Sequence, residues 1–585
     1  MLRRRLTRRI SLAAIPLTLT AVVLAGCAVQ SADAASTSSG TTSTSTESSE
    51  TATAVVVDSD LDADAVLAAN ADYTVVNDDE WSESDAVDVT LTGSSAASDS
   101  DAVEIDGSTV TITSAGVYRL SGALDGSVVV AAEDDAQVVL ILDDADISAS
   151  DGPAITVQTA DDVALVLADG SSNAVSDTDA YADDADANAA IYSDADLTIS
   201  GTGSLTVSGN GNDGITSTDD LVVLSGDITV EAVDDGLRGK DALVVRDGTV
   251  TVDAGGDALK SDQADDAAQG FVLIEGGAVS LTSGDDGIAA ATDVVITGGT
   301  VDITAGAGTA ADAGAKGVAA GVVAALDGGE VAIDAADDAL HSDGSVGLGG
   351  ATVTVDAGDD GVHAEQTLEI RDGVVTVASS VEGLEAADIA LSGGTVDVTA
   401  SDDGVNAASG TGTQGGGMGG GGEADSGETL VISGGTVGVT GGGDGLDSNG
   451  TITITGGVVS VSGPTGGGEG AIDANGAVTL DGGTVQVGGS STGTLSGAQA
   501  FVSASVSGST GDTVEIADAA GTVVGTFELP ASFASVIFSD AAIVDGGTYT
   551  ITVNGGSSVS ATAGEQVATG GPGGGGMAGP GGGRP

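Results

Sequence analysis

Aromatic side chains are scarce in this sequence: one Trp, five Tyr and five Phe in 585 residues. Between Asp213 and Asp447 the only one is Phe271. That long stretch therefore has no rings to build a stacking platform for flat or sugar-like ligands. Cysteine is nearly absent as well, with Cys27 alone, so no intramolecular disulfide can form and stability must come from packing, hydrogen bonds or metal. Basic residues number 13 against 89 acidic ones, a formal charge of −76. Such a surface repels nucleic acid and anionic lipid, and it attracts divalent cations. It also keeps a protein soluble, as in salt-adapted sources.

The few basic residues are unevenly placed. Arg3, Arg4, Arg5, Arg8 and Arg9 precede an apolar run, residues 10–24, that ends in Leu24-Ala25-Gly26-Cys27. A basic start, a short apolar run and small residues read as an export signal over residues 1–26 rather than a membrane-spanning helix. The LAGC stretch resembles a bacterial lipobox, which implies cleavage before Cys27 and lipid on its sulfur. The expected location is extracytoplasmic, anchored to the cell membrane and exposed at the surface. The only membrane contact expected is that anchor. Removing the signal leaves eight basic side chains against 89 acidic ones, a charge near −81.

Residues 31–53 are rich in Ser and Thr and cannot bury a core, so residues 27–84 read as a tether and lead-in. From about residue 85 short Val/Ile/Leu/Thr runs alternate with Gly, Asp and Asn, which is strand-and-turn grammar with no helix. A motif of acidic residue, Gly or Ala, then apolar residue recurs at Asp213, Asp235, Asp257, Asp286, Lys316, Asp338, Asp360, Glu382, Asp403 and Asp444. The commonest step is 22 residues, with longer steps where insertions fall. Two positions on stands an apolar column: Ile215, Leu237, Leu259, Ile288, Val318, Leu340, Val362, Leu384, Val405 and Leu446. A unit of this length suits one coil of an all-β parallel β-helix, with coils stacked about 4.8 Å apart. That domain is expected over residues 85–498. A β cap with Phe527, Phe533, Phe538 and Tyr549 is expected over residues 499–555, and a disordered Gly/Pro-rich tail over residues 556–585. An antiparallel sandwich is the alternative, but sandwiches keep no 22-residue register.

One position beyond the apolar column lies an outward one: Thr216, Arg238, Lys260, Ala289, Ala319, His341, His363, Glu385, Asn406 and Asp447. Both histidines of the chain are in it. This face is the candidate ligand groove, with Arg238, Lys240, Lys260, His341, His363, Glu382, Glu385, Asn406 and Asp447 as candidate ligand-binding residues. Its alternative is a solvated face of arbitrary polar residues. The acidic column poses an electrostatic problem, because like charges stacked across strands repel. At about 5 Å the repulsion is roughly 0.8 kcal/mol in water and roughly 3 kcal/mol at an effective dielectric of 20. Doubled aspartates aggravate it, so Asp234, Asp235, Asp257, Asp285, Asp286, Asp337, Asp338, Asp359, Asp360, Asp402, Asp403 and Asp444 are candidate metal ligands. Calcium suits oxygens on coils so spaced. The bland reading is that these aspartates only cap turn amides.

The coils resemble those of exported bacterial carbohydrate-binding lipoproteins with a pectate-lyase-like fold, which implies a right-handed parallel β-helix. The resemblance rests on "AAIYSDADLTISGTGSLTV", "DDGLRGKD", "GDALKSD", "DDGVHAEQTLEIRDG", "VEGLEAADIALSGG", "SDDGVNAA" and "GDGLDSNGTITITGG", in that order. It implies non-catalytic, calcium-dependent binding of acidic polysaccharide of the polygalacturonate kind; separately, the chain is expected to act as a monomer. The sequence departs from the pattern at Ala258 and Ala339, where glycine is usual, and at Lys316 in the acidic column. Two other readings stand beside this one. A calcium-dependent lyase would use Arg238, Lys240 or Lys260 as base. A structural adhesin or cell-wall spacer would bind no sugar.

Overall fold

In the computed structural model each coil lays down three short strands. The structure describes residues 61–567 apart from 183–184, 308–311, 410–424, 466–469, 490, 492–493 and 557. Cys27, the export signal, the Ser/Thr tether and the Gly/Pro-rich tail beyond residue 567 lie outside the described residues. One coil shows the pattern: Leu237–Gly239 in the first sheet, Ala242–Val245 in the second and Thr249–Ala254 in the third. Each pairs in parallel with its counterpart one coil away. The chain is a parallel β-helix.

The apolar column is the core. Ile215 pairs with Leu237, Leu237 with Leu259, and so on to Val405 with Leu446, without a slip. All ten residues are fully buried. Removing each such side chain from water contributes about 1.5–3 kcal/mol, and no single coil could bury it alone. Third-sheet strands such as Thr249–Ala254 alternate exposed and buried residues, as expected for one wet face. The turn into them stacks glycines. Gly394 has φ +70°, and a Cβ there would lie 2.9 Å from the Gly373 carbonyl oxygen of the preceding coil.

Second-sheet strands such as Phe271–Ile274 are buried throughout. Their outer face is covered by a strap, residues 61–86, that runs lengthwise across the coils. It begins with the helix Ala63–Ala69, capped by Asp62, whose side chain accepts from the Ala65 amide at 2.8 Å. Its seven residues are too few to show helical periodicity, which is why the sequence pattern gave none. Ala63 and Val66 pack on Val295 and Ala325, and the Ala63 amide donates to Asp327. Arg371 ties Asp327 at 2.9 Å and the Leu61 carbonyl at 3.4 Å. Further along, Tyr73 accepts from Arg246 and lies under its guanidinium. The Thr74 amide reaches Asp220 and the Val76 amide reaches Thr198. Glu83 ends the strap against Arg119.

At the other end Val536–Ser539 pairs antiparallel with both Thr484–Gly488 and Phe501–Ala504. Beside it lies an antiparallel sheet of Thr513–Asp518, Val523–Glu528, Thr548–Val553 and Ser558–Thr562, so strand structure extends past residue 555. Phe527, Phe533, Phe538 and Tyr549 form its core.

Candidate functional site

The motif corner lets a ladder aspartate use its two oxygens differently. One caps the backbone of the next coil: Asp235 Oδ1 accepts from the Asp257 amide at 3.0 Å, Asp257 Oδ1 from Asp286 at 3.0 Å, and Asp338 Oδ1 from Asp360 at 3.1 Å. Asp286, Asp403 and Asp444 cap the Lys316, Asp444 and Gly470 amides in the same way. In Asp213, Asp257, Asp338 and Asp360 the other oxygen turns along the strand toward the outward residue three positions on. Asp213 Oδ2 accepts from Thr216 at 2.9 Å, and Asp338 Oδ2 meets His341 Nδ1 at 2.8 Å. Capping and outward-facing chemistry are therefore both present, one on each oxygen.

The outward residues pair in unbroken register from Thr216 to Asp447. They divide the ladder into two electrostatic regions. Toward the N-terminus the chain supplies its own cations. Lys260 Nζ lies 3.0 Å from Asp235 Oδ2 and 2.8 Å from Asp257 Oδ2, where an ion bridging two coils would sit. Arg238 pairs with Asp262, and Lys316 pairs with Asp337 and approaches Asp338. Toward the C-terminus Glu382, Glu385, Asn406, Asp403, Asp444 and Asp447 follow with no Lys, Arg or His among them. Burial, with Asp403 and Asp473 nearby, pushes the Asp447 carboxyl up to about 7. Burial followed by the neighbouring acids also raises Glu385 and Asp444. Asn406 is buried; its Nδ2 donates to Glu382, but its Oδ1 has no hydrogen-bond partner.

The first aspartate of each pair stands further out. Asp234, Asp285, Asp359 and Asp402 are exposed, and Asp337 is half-buried. Ligand atoms of Asp257, Asp285 and Asp286 lie within 4.8 Å of one another, as do those of Asp337, Asp338 and Asp359. The histidines join such groups too, in Asp338–His341–His363 and Asp360–His363–Glu385. These clusters could hold metal ions. Lys240 is not in the ladder: it follows the strand Leu237–Gly239, and its charge acts on Asp219.

Ala289 and Ala319 interrupt the tall side chains and leave a cleft of about 490 Å³ between Lys260 and His341, with Asp286, Lys316 and Asp343 also on its walls. Periodicity reveals the column but not this notch, which depends on two small residues between four large ones. A second acidic group went unread in the sequence. Asp196, Asp219 and Asp220 lie together at the start of second-sheet strands, and burial with Asp196 and Asp219 raises Asp220 to about 7. Aligning the aspartates that open those strands, Asp196 and Asp220, would have found it.

A family model described as carbohydrate-binding domain-containing protein matches residues 106–358 and 347–493, more than half of the chain. A curated protein of the same description from Acetivibrio thermocellus is 32% identical over 128 residues, covering 21% of this chain and 45% of the relative. The match thus spans less than half of that relative's length. A solved polysaccharide lyase-like protein from C. thermocellum, as a gadolinium derivative, aligns with 28% identity over 49% of this chain and 97% of its own, at a TM-score of 0.36.

Proposed function

Since the chain belongs to the carbohydrate-binding domain-containing proteins, we propose that it holds an acidic polysaccharide of the polygalacturonate kind along the outward ladder, through calcium and without cleaving it. The observation that carries this reading is the C-terminal half of the ladder. Several carboxylates and one amide oxygen are packed there, and among the described residues no Lys or Arg stands in that part of the ladder. Calcium takes six to eight oxygens, including Asn carbonyls and sugar or water oxygens, at about 2.4 Å. The unpartnered Asn406 Oδ1 beside Asp447 and the stacked acids fits that donor set. Asp402, Asp403, Asp444, Glu382 and Glu385 would complete it, and the ion would supply the positive charge that a uronate carboxylate needs. The notch over Ala289 and Ala319, edged by Lys260 and Lys316, offers room for a sugar ring without aromatic stacking.

The basic residues favour binding over proton abstraction. Burial alone would lower the Lys260 pKa, but Asp235 and Asp257 outweigh it and hold the ammonium protonated. Arg238 is likewise held by Asp262. A base must be able to lose its proton near working pH. The display proposed is at the cell surface, on lipid attached at Cys27.

The test is depletion of the full chain from solution by insoluble polygalacturonate, with calcium and with chelator. Depletion only in calcium is expected. Equal depletion in both, or none in either, overturns the calcium-bridged reading.

A further inference from the structure

The chain's two histidines occupy neighbouring rungs of the ladder. His341 pairs in register with His363, and their rings meet edge to face with centroids 4.9 Å apart. Each directs Nδ1 inward at the carboxylate three residues before it, and Asp338 Oδ2 lies within 4 Å of both Nδ1 atoms. Asp338 Oδ2 lies 2.8 Å from His341 Nδ1 and 3.8 Å from His363 Nδ1, and Asp360 Oδ2 lies 3.1 Å from His363 Nδ1. Asp338 Oδ1 is already committed to the Asp360 amide, which fixes the direction of Oδ2.

We infer that His341 and His363, with Asp338 between them and Asp360 alongside, form a site for a divalent transition metal of the zinc type, separate from the all-oxygen part of the ladder. Imidazole nitrogen suits zinc, copper, nickel and iron, whereas calcium selects oxygen. Zinc binds nitrogen and oxygen at about 2.0–2.2 Å in a tetrahedron, which puts neighbouring ligand atoms about 3.4 Å apart. The three nitrogen–oxygen distances bracket that value. The outer nitrogens are supported as well: His341 Nε2 is 3.3 Å from Asp343 Oδ1, the kind of carboxylate partner that orients a metal-bound imidazole. Each His–Asp contact alone is an ordinary hydrogen bond. What those separate bonds do not account for is the grouping: ligand atoms of Asp338, His341 and His363 from adjacent coils all lie within 4.8 Å of one another. Lys316 Nζ approaches Asp338 Oδ2 to 3.7 Å, but its ion pair is with Asp337.

The inference goes beyond the calcium reading, and its test uses no polysaccharide. Full chain stripped with chelator is titrated calorimetrically with zinc in excess calcium. One saturable zinc site that survives the calcium is expected. H341N/H363N should weaken that site at least tenfold while leaving the far-ultraviolet circular dichroism unchanged. Because the chain has two histidines, a nitrogen-15 imidazole spectrum of the unmutated protein reads them directly. Zinc should shift both rings, and calcium neither. Zinc uptake abolished by calcium, unchanged affinity in a folded H341N/H363N variant, or a zinc spectrum in which fewer than two rings move would overturn the inference.

Discussion

Asp447→Asn tests whether the C-terminal ladder stores unrelieved charge. The Asp447 carboxyl is moved by burial and its acidic neighbours from an ordinary 3.8 to about 7. The folded state therefore binds this proton more tightly than the unfolded state. Stability linked to that proton is fully present below about pH 4 and is lost as pH rises through about 7. At pH 8 the shift corresponds to an upper limit of about 4 kcal/mol. Partial exposure and local relaxation reduce that to about 2 kcal/mol. Asparagine keeps the shape and removes the charge, so in chelator at pH 8 the variant should be the more stable protein. For a chain of this size the gain is about 2 °C in Tm. At pH 5 the wild-type carboxyl is already largely protonated when folded, and the advantage should shrink by roughly two-thirds. Calcium should raise the Tm of the wild type and much less that of the variant, since an ion stabilises only the state that binds it. Differential scanning fluorimetry at both pH values, with calcium and with chelator, reads all four arms. A variant no more stable than wild type in chelator at pH 8 would refute the reasoning, because the carboxylate would then be adequately solvated.

Lys260→Met removes the cation that Asp235 and Asp257 share, and should destabilise the domain by about 1–3 kcal/mol in urea unfolding at pH 7. Gly394→Ala forces a methyl into a left-handed turn against the Gly373 carbonyl, and should cost about 1–3 kcal/mol in the same assay. Arg371→Ala releases Asp327 and the Leu61 carbonyl at the start of the strap; limited proteolysis should then cut residues 61–71 faster while the coils stay resistant.

The columns were legible because a parallel coil gives the sequence copies of itself. Ile215 to Leu446 and Thr216 to Asp447 could be aligned within one chain, and strand register then fixes which side chains face in and out. The division of labour between carboxylate oxygens was not legible. Asp338 and Asp403 look alike in the repeat, yet one faces histidines and the other faces acids. The cations already in place are half-legible: the outward column puts Arg238 and Lys260 on adjacent coils, but not Lys260 between Asp235 and Asp257. The strap escaped because it occurs once. Residues 61–86 have no second copy to compare, and their partners, from Arg371 to Arg119, lie far away in sequence.

That strap changes the statistics of the molecule. A stack in which each coil touches only its neighbours behaves as a one-dimensional array, able to melt from an end or open in the middle while the rest persists. Here one segment touches Asp327, Arg246, Asp220, Thr198 and Arg119 in turn, on coils distributed along much of the array. Opening any of those coils strains a contact that the others share. Neighbour-only coupling thus becomes coupling across the whole strapped span, and that span should lose its structure in one sharp transition rather than coil by coil.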